Sequence, residues 1–408
     1  MLARFAKSES LRSAVGFGAG GIGFAAGNLL LARVLSPESF GVVALALALN
    51  QFGLTFGPCG LDVVANRHHP RVGRRLVTLV GGTAVLAGIT VAIAASLYYH
   101  LPAHIALLIF GMTVGSASNR VGAALFQGGH NLPAAMVLSQ IHNYVLLFAA
   151  VLTMVPAIRN DVFVLSLVTV GYLTSAVLGW WLASRSLNIG RAEIDASMAL
   201  KEGAAALGIG VAVEVLGQFE RLAIPKVGSL EMLSTYAVLA AVAGSSFRML
   251  QIGTSFSLLP RLRSAPSATV ARNVLWREAT MTSLVAIAAA IVIAVVSPPL
   301  FNLVLRGKYS IPSSLIIAAI VVGLAKLWEG FSVAVVSACG STAALAMFSA
   351  FAWICLFVAA VGTVIGSKFG LVGILYGVGS AWILLAAGGT YLARVSFRAR
   401  FSALSNTA

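Results

Sequence analysis

The chain has 408 residues, 59% of them hydrophobic and only 10% charged, against roughly 25% charged in an ordinary soluble domain. That much apolar surface excludes a soluble core, and apolar runs far longer than barrel strands exclude a membrane β-barrel, which leaves helices crossing lipid. In such a chain a net charge of +15 reports where Lys and Arg sit around the spans, so no nucleic-acid partner is read from it.

Stretches of about 20 apolar residues bounded by charge, Pro or Gly place spans near 13–35, 39–61, 76–98, 104–127, 134–155 and 162–183, and again near 204–226, 232–258, 279–301, 313–338, 343–365 and 371–393. The first follows Arg4, Lys7 and Arg12 and is too long for the apolar core of a secretory signal, so it reads as an uncleaved span. The expected fold is an all-α polytopic membrane protein of about twelve helices in two six-helix bundles. Residues 1–183 form the first bundle, 184–203 an inter-half linker with an amphipathic surface helix, 204–394 the second bundle and 395–408 a tail. Basic residues gather at the amino end and in alternate loops: Arg67, Arg71, Arg74 and Arg75; Arg185, Arg191 and Lys201; Arg261, Arg263, Arg272 and Arg277; and Arg394, Arg398 and Arg400. The positive-inside rule then puts the linker, the tail and both termini in the cytoplasm, with short loops opposite and no extracytoplasmic domain.

Set against itself at an offset of 193, the chain aligns Ala32 to Ala48 with Pro225 to Ala241, matching Arg33 to Lys226, Ser36 to Ser229 and Glu38 to Glu231. Both segments join the first two spans of a six-helix half. Six being even, the halves share one orientation and form a parallel repeat.

Ionisable groups at membrane depth cost at least about 2.5–3.5 kcal/mol on insertion scales and face a bundle interior or wet cavity. Glu214, Gln218 and Arg221 recur on one face of the seventh span, with Glu220 off that face and near the outer headgroups. Arg248 and Gln251 pair on the eighth, Lys326 and Glu329 on the tenth, and Arg120 lies in the fourth. Four cations against two acids suit an anion such as a diphosphate headgroup. The plainer readings are an intrahelical Lys326–Glu329 pair and snorkelling of Arg120 and Arg221 to headgroups. Asn28, Asn50, Gln51, Gln140 and Asn143 read as hydrogen-bonded helix packing, as do the glycine runs Gly18 to Gly23 and Gly377 to Ala381, which lack a phosphate loop's strand and Lys-Ser/Thr. Cys59, Cys339 and Cys355 are single packing residues, and His68 and His69 stand in a basic loop without further metal ligands.

The segment Leu31 to Leu49, LARVLSPESFGVVALALAL, with Gly60 to His68 and the Gly370 to Gly377 opening of the last span, resembles the polysaccharide transporters or O-antigen (Wzx-like) flippases of the multidrug/oligosaccharidyl-lipid/polysaccharide (MOP) exporter superfamily. The resemblance implies two six-helix bundles in a V and alternating access. It also implies a cationic central cavity for the sugar-diphosphate head of an undecaprenyl-diphosphate-linked oligosaccharide. The family has no strictly fixed set of substrate residues, so Arg120, Arg221, Arg248, Lys326, Gln218 and Gln251 are cavity candidates on burial and charge alone. Glu214 and Glu329 are the candidates for coupling to a proton or sodium gradient. The expected protein is thus a bacterial inner-membrane transporter without catalytic residues, metal or other cofactor. Its partners are the lipid-linked glycan, membrane lipids and the polysaccharide polymerase and chain-length machinery. The chain leaves no room for the two additional helices of lipid II flippases, which favours an exopolysaccharide, capsule or O-antigen repeat unit. A multidrug/cation antiporter of the same superfamily and a membrane polysaccharide polymerase or ligase are the alternatives; the first predicts an acidic cavity, the second a large outer loop rich in Arg and His.

Overall fold

The computed structural model describes residues 9–129, 131–187 and 193–405. Among them every regular element is helical: α1 (Glu9–Val34), α2 (Pro37–Phe56), α3 (Leu61–His68), α4 (Arg74–Ile93), α5 (Ala103–Gly128), α6 (Leu132–Leu152), α7 (Asp161–Ser186), α8 (Ala196–Val227), α9 (Leu230–Leu239), α10 (Ser245–Arg263), α11 (Ala268–Leu305), α12 (Ser313–Cys339), α13 (Thr342–Ser367) and α14 (Gly370–Ser405). A π-helical turn, Ala94–Tyr98, prolongs α4, and a second, Ala240–Gly244, joins α9 to α10 in one rod. Ten of the described rods are long and apolar enough to cross a membrane, and the chain is a multi-pass membrane protein. Two further long rods are α1 with 26 residues and α8 with 32, the latter carrying Glu214, Glu220 and Arg221.

The rods outrun the apolar stretches that announce them, because hydrocarbon thickness limits the stretch and not the helix. α11 begins at Ala268, capped by Ser267 Oγ accepting from Val270 N at 3.3 Å, so Arg272 and Arg277 belong to a helix and not to the expected loop. α14 continues through the expected tail to Ser405. Residues 196–203 of the expected linker are the first turns of α8 and no separate surface helix, and residues 188–192 of that linker lie outside the described residues. The second span is shorter than its apolar run: α2 stops at Phe56 and the chain turns through Pro58 and Gly60 into the short α3. Gly60 has φ 73°, and a Cβ there would come 2.0 Å from the carbonyl oxygen of Gly203, so backbone conformation and close approach both require glycine.

The repeat is visible at its two corners. Ser36 Oγ accepts from Ser39 N at 3.1 Å at the start of α2, and Ser229 Oγ accepts from Met232 N at 3.1 Å at the start of α9. Glu38 and Glu231 occupy the first turns that follow, where a carboxylate complements the helix dipole.

The described chain groups into two compact units, Ile22–Ser234 and a second drawn from Met1–Gly21 with Thr235–Ala408, with borders inside α1 and α9. In the first, Leu61, Val64, Leu76, Leu125 and Phe126 form an apolar cluster binding α3, α4 and α5. In the second, Leu258, Leu262, Phe331, Val335 and Phe401 bind α10, α12 and α14. Side chains such as Leu86, Val177, Val295 and Phe357 point outward, as lipid-facing residues do.

Apolar side chains gain little from one another in lipid, so helices associate through close packing and hydrogen bonds. The clearest case is α13 against α14, where Gly366 faces Gly373 and Gly362 faces Gly377; an added Cβ at any of these four would lie 2.2–2.7 Å from the opposite backbone oxygen. The GAGGIG run packs similarly, Gly21 on Met249 within the second unit and Gly23 on the Asn143 backbone within the first. Replacing Gly366 by Leu forces α13 and α14 apart at an overpacking cost of roughly 1–3 kcal/mol. A lower thermal unfolding midpoint in detergent is the expected result, while Gly81→Leu, where an added Cβ meets nothing within 4 Å, should leave it near wild type.

Candidate functional site

The charged residues of the spans fall into separate groups, one in the second unit and several in the first. In the second unit, Phe247 of α10 packs on Gly323 of α12, and Gln251, one turn later, packs on Gly330. The contacts advance together, so α10 and α12 run in the same direction. Gln251 Nε2 donates to Glu329 Oε2 at 3.3 Å, and Glu329 is 1% exposed. Arg248, one turn before Gln251, therefore stands at the level of Lys326, one turn before Glu329, and Lys326 is the midpoint of α12. Lys326 Nζ lies 5.0 Å from the ring centroid of Trp382 on α14, a cation–π contact inside the bundle. Arg248 is exposed and Lys326 half-buried, while the acid lies beneath them.

The basic end of this unit is largely committed to structure. Arg263 Nη2 donates to Ser337 O at 3.3 Å, and Arg400 donates to Ala338 O and, at 2.8 Å through Nη2, to Arg263 O. Two guanidiniums thereby cap the last carbonyls of α12, where the helix dipole favours cations. Arg261 pairs with Glu278.

In the first unit, Gln218 and Arg221 share the expected face of α8: Arg221 Nη1 donates to Gln218 Oε1 at 3.3 Å, and its guanidinium lies 5.9 Å from the Phe24 ring centroid of α1. Glu214, two turns earlier, is half-buried. Glu220, off that face, is 0% exposed and buried in helix packing. Near the end of α8, Lys226 Nζ donates to Tyr98 O and sits 4.0 Å from the Tyr98 ring centroid, while the Tyr99 hydroxyl donates to Leu222 O at 3.0 Å.

Arg120 is ion-paired. Its Nε donates to Asp62 Oδ2 of α3 at 2.7 Å, with the carboxylate side chain 14% exposed. Asp62 was invisible as a partner because 58 residues separate the two and no local pattern couples them. Of the expected packing amides, Asn50 Oδ1 accepts from Ser116 Oγ of α5 at 2.9 Å across two helices, whereas Asn28 Nδ2 donates to Phe24 O at 2.8 Å and Asn143 Nδ2 to Gln140 Oε1 at 2.7 Å within their own helices. Cys339 and Cys355 are buried and unbridged.

At the basic end of α3, Arg67 Nη1 and His68 Nε2 grip the two oxygens of Glu202 at 2.9 and 2.8 Å, tying α3 to the start of α8. The His68 ring first, and Arg67 after it, hold the Glu202 carboxyl below its ordinary value of 4.5 against a smaller opposing effect of desolvation. A carboxyl so lowered contributes stability above its unfolded value and loses it as pH falls through the folded one.

Two measurements check these pairings. Asp62→Asn should lower folded stability by roughly 1–3 kcal/mol, and the exchanged pair Asp62→Arg with Arg120→Asp should recover part of the loss; equal losses in single and exchanged variants would show that Arg120 does not depend on Asp62. Glu202→Gln should unfold at a lower temperature than wild type at neutral pH, with the difference closing as pH falls below the ordinary carboxyl value and through the lowered folded one.

No protein-family model matches the sequence, and no curated protein matches it. Among solved structures the chain is similar to an inward-facing multidrug resistance MATE family transporter of the MOP superfamily, at 14% identity and a TM-score of 0.68 over 97% of this chain and 99% of that one. It is similar to a eukaryotic MATE transporter at 13% identity, TM-score 0.62, over 97% and 99% of the two chains. It is also similar to the lipid II flippase MurJ in an inward closed conformation, at 13% identity, TM-score 0.59, over 93% of this chain and 87% of that one. At such identities the likeness is one of fold, and along nearly its whole length the chain has the fold of these MOP-superfamily transporters.

Proposed function

We propose that the protein is a flippase that moves undecaprenyl-diphosphate-linked oligosaccharide repeat units across the bacterial inner membrane by alternating access, for exopolysaccharide, O-antigen or capsule assembly. The observation that carries this reading is the arrangement on α10 and α12: Arg248 and Lys326 share one level deep in the spans, above a Glu329 that is 1% exposed and bonded to Gln251. A site that presents cations and withdraws its acid suits a diphosphate. In the Ile22–Ser234 unit, described by itself, Arg221 is bonded to Gln218 on α8 and Arg120 to Asp62. The structural likeness to MurJ, a lipid II flippase, supports a lipid-linked cargo. In this reading nothing is made or broken covalently, both termini are cytoplasmic, Glu214 or Glu329 couples the cycle to a proton or sodium gradient, and the product passes to polymerase and chain-length machinery.

The likeness to MATE transporters supports a second reading, a drug/cation antiporter. A cation site requires an acid that its cargo can reach, and the burial of Glu329 argues against it.

Flipping of a labelled undecaprenyl-diphosphate oligosaccharide in proteoliposomes tests the reading. A charge-assisted hydrogen bond is worth about 1.5–3 kcal/mol, so Arg248→Ala and Lys326→Ala should each slow transport by roughly ten- to a hundredfold, with Arg248→Lys less affected. Wild type that exports cationic dyes and moves no isoprenoid diphosphate would establish the antiporter instead.

A further inference from the structure

The cations of the second unit are unevenly committed. From Thr235 onward the chain has two acids, Glu278 and Glu329. Both are engaged, Glu329 with Gln251 inside the spans and Glu278 with Arg261. Arg263 and Arg400 are held by backbone carbonyls, chiefly those at the end of α12. Arg272 and Arg277, on the amino-terminal extension of α11, are different: both are exposed, and among the described residues neither side chain has a partner. The one acid of α11, Glu278, is already spent on Arg261.

Between these two arginines stands Trp276, which is 75% exposed. Arg272 precedes it by one turn on the same face, and Arg277 follows it about 100° around the helix. The apolar run of this rod is 279–301. Counted in helical rise, Arg277 and Trp276 lie about 3–5 Å beyond the end of that run and Arg272 about 10 Å beyond it. A headgroup layer is about 5–8 Å thick, so the ring and Arg277 stand within it and Arg272 at its watery edge. Helix side chains lean toward the amino end, which carries the Arg277 head away from the hydrocarbon and toward the phosphates. In the other direction Leu284, Ile287 and Ile291 continue the Trp276 face and are exposed, an apolar track for an acyl chain.

We propose that Arg272, Trp276 and Arg277 form a binding site for an anionic phospholipid of the surrounding bilayer. The guanidiniums face the phosphate, the indole lies at the level where aromatic side chains meet headgroups, and one acyl chain runs along Leu284, Ile287 and Ile291. The site is on the outward face of α11 and does not include Arg248 or Lys326. Cations that only fix orientation need no such arrangement. Arg71 and Arg74, exposed and also without side-chain partners among the described residues, stand in a stretch, 61–90, that has no Trp, Tyr or Phe.

Trp276 is its own reporter. The whole protein is placed in phosphatidylcholine vesicles that carry a small, equal fraction of brominated phosphatidylglycerol or brominated phosphatidylcholine, and the quenching lost in Trp276→Phe is taken as the signal. Phosphatidylglycerol should be enriched at Trp276 by roughly fivefold per arginine, and the preference should shrink in about 1 M salt, where charges are screened within ~3 Å. Arg272→Gln with Arg277→Gln should abolish the preference; Arg261, Arg263 and Arg400 remain to hold the orientation. Arg71→Gln with Arg74→Gln should leave it intact. Equal quenching by the two lipids in wild type, or an equal loss in both double variants, overturns the site in favour of diffuse attraction.

Thermal unfolding in detergent supplies the second readout. Added phosphatidylglycerol should raise the midpoint of wild type and of the Arg71/Arg74 variant, and not that of the Arg272/Arg277 variant. Without added lipid the three midpoints should nearly coincide, because exposed side chains without partners hold nothing together; a large fall in the Arg272/Arg277 variant would make these residues structural and overturn the proposal. Neither readout involves a cargo, so the lipid site and the flippase reading stand or fall separately.

Discussion

Hydrocarbon supplies no hydrogen-bond partners, so every backbone amide and every charge carried into it must be satisfied by the protein itself. Helices solve the first part of that constraint within each rod, and the ends are closed by local side chains such as Ser36, Asn160, Asp195 and Ser341 accepting from amides of the first turn. The second part is solved pairwise: Arg120 on Asp62, Gln251 on Glu329, Lys326 over Trp382. These contacts, with the glycine faces of α13 and α14, set which helices lie side by side, since apolar surface alone does not distinguish a neighbour from lipid.

The same constraint explains what the sequence made legible. Long apolar rods are obligatory in a bilayer, so their number and order could be read directly. The corner at Ser36 and its copy at Ser229 were readable because caps act over three residues. The corner at Gly60 was not, because its cause is the distant Gly203. Nor were the true lengths of α11 and α14, whose polar extensions carry no hydrophobic signal.

The candidate sites divide in the same way. Gln218 with Arg221 follows from helical spacing within one rod. Whether a cation is displayed or spent depends on its partner, which helix periodicity does not encode. Arg120 found Asp62 on a neighbouring helix, and Arg263 and Arg400 found the carbonyls of α12.

The twin corners carry a consequence for biosynthesis. Ser36 and Ser229 each close their turn with a bond that spans three residues, beside an acid that suits the same helix end. Nothing distant is needed to decide where α1 gives way to α2, or α8 to α9. Each hairpin can therefore take shape as it leaves the ribosome, before the helices that will later surround it exist. The two corners are thus alike, whereas the long-range pairs, Arg120 with Asp62 in one unit and Gln251 with Glu329 in the other, differ and give each unit its own chemistry.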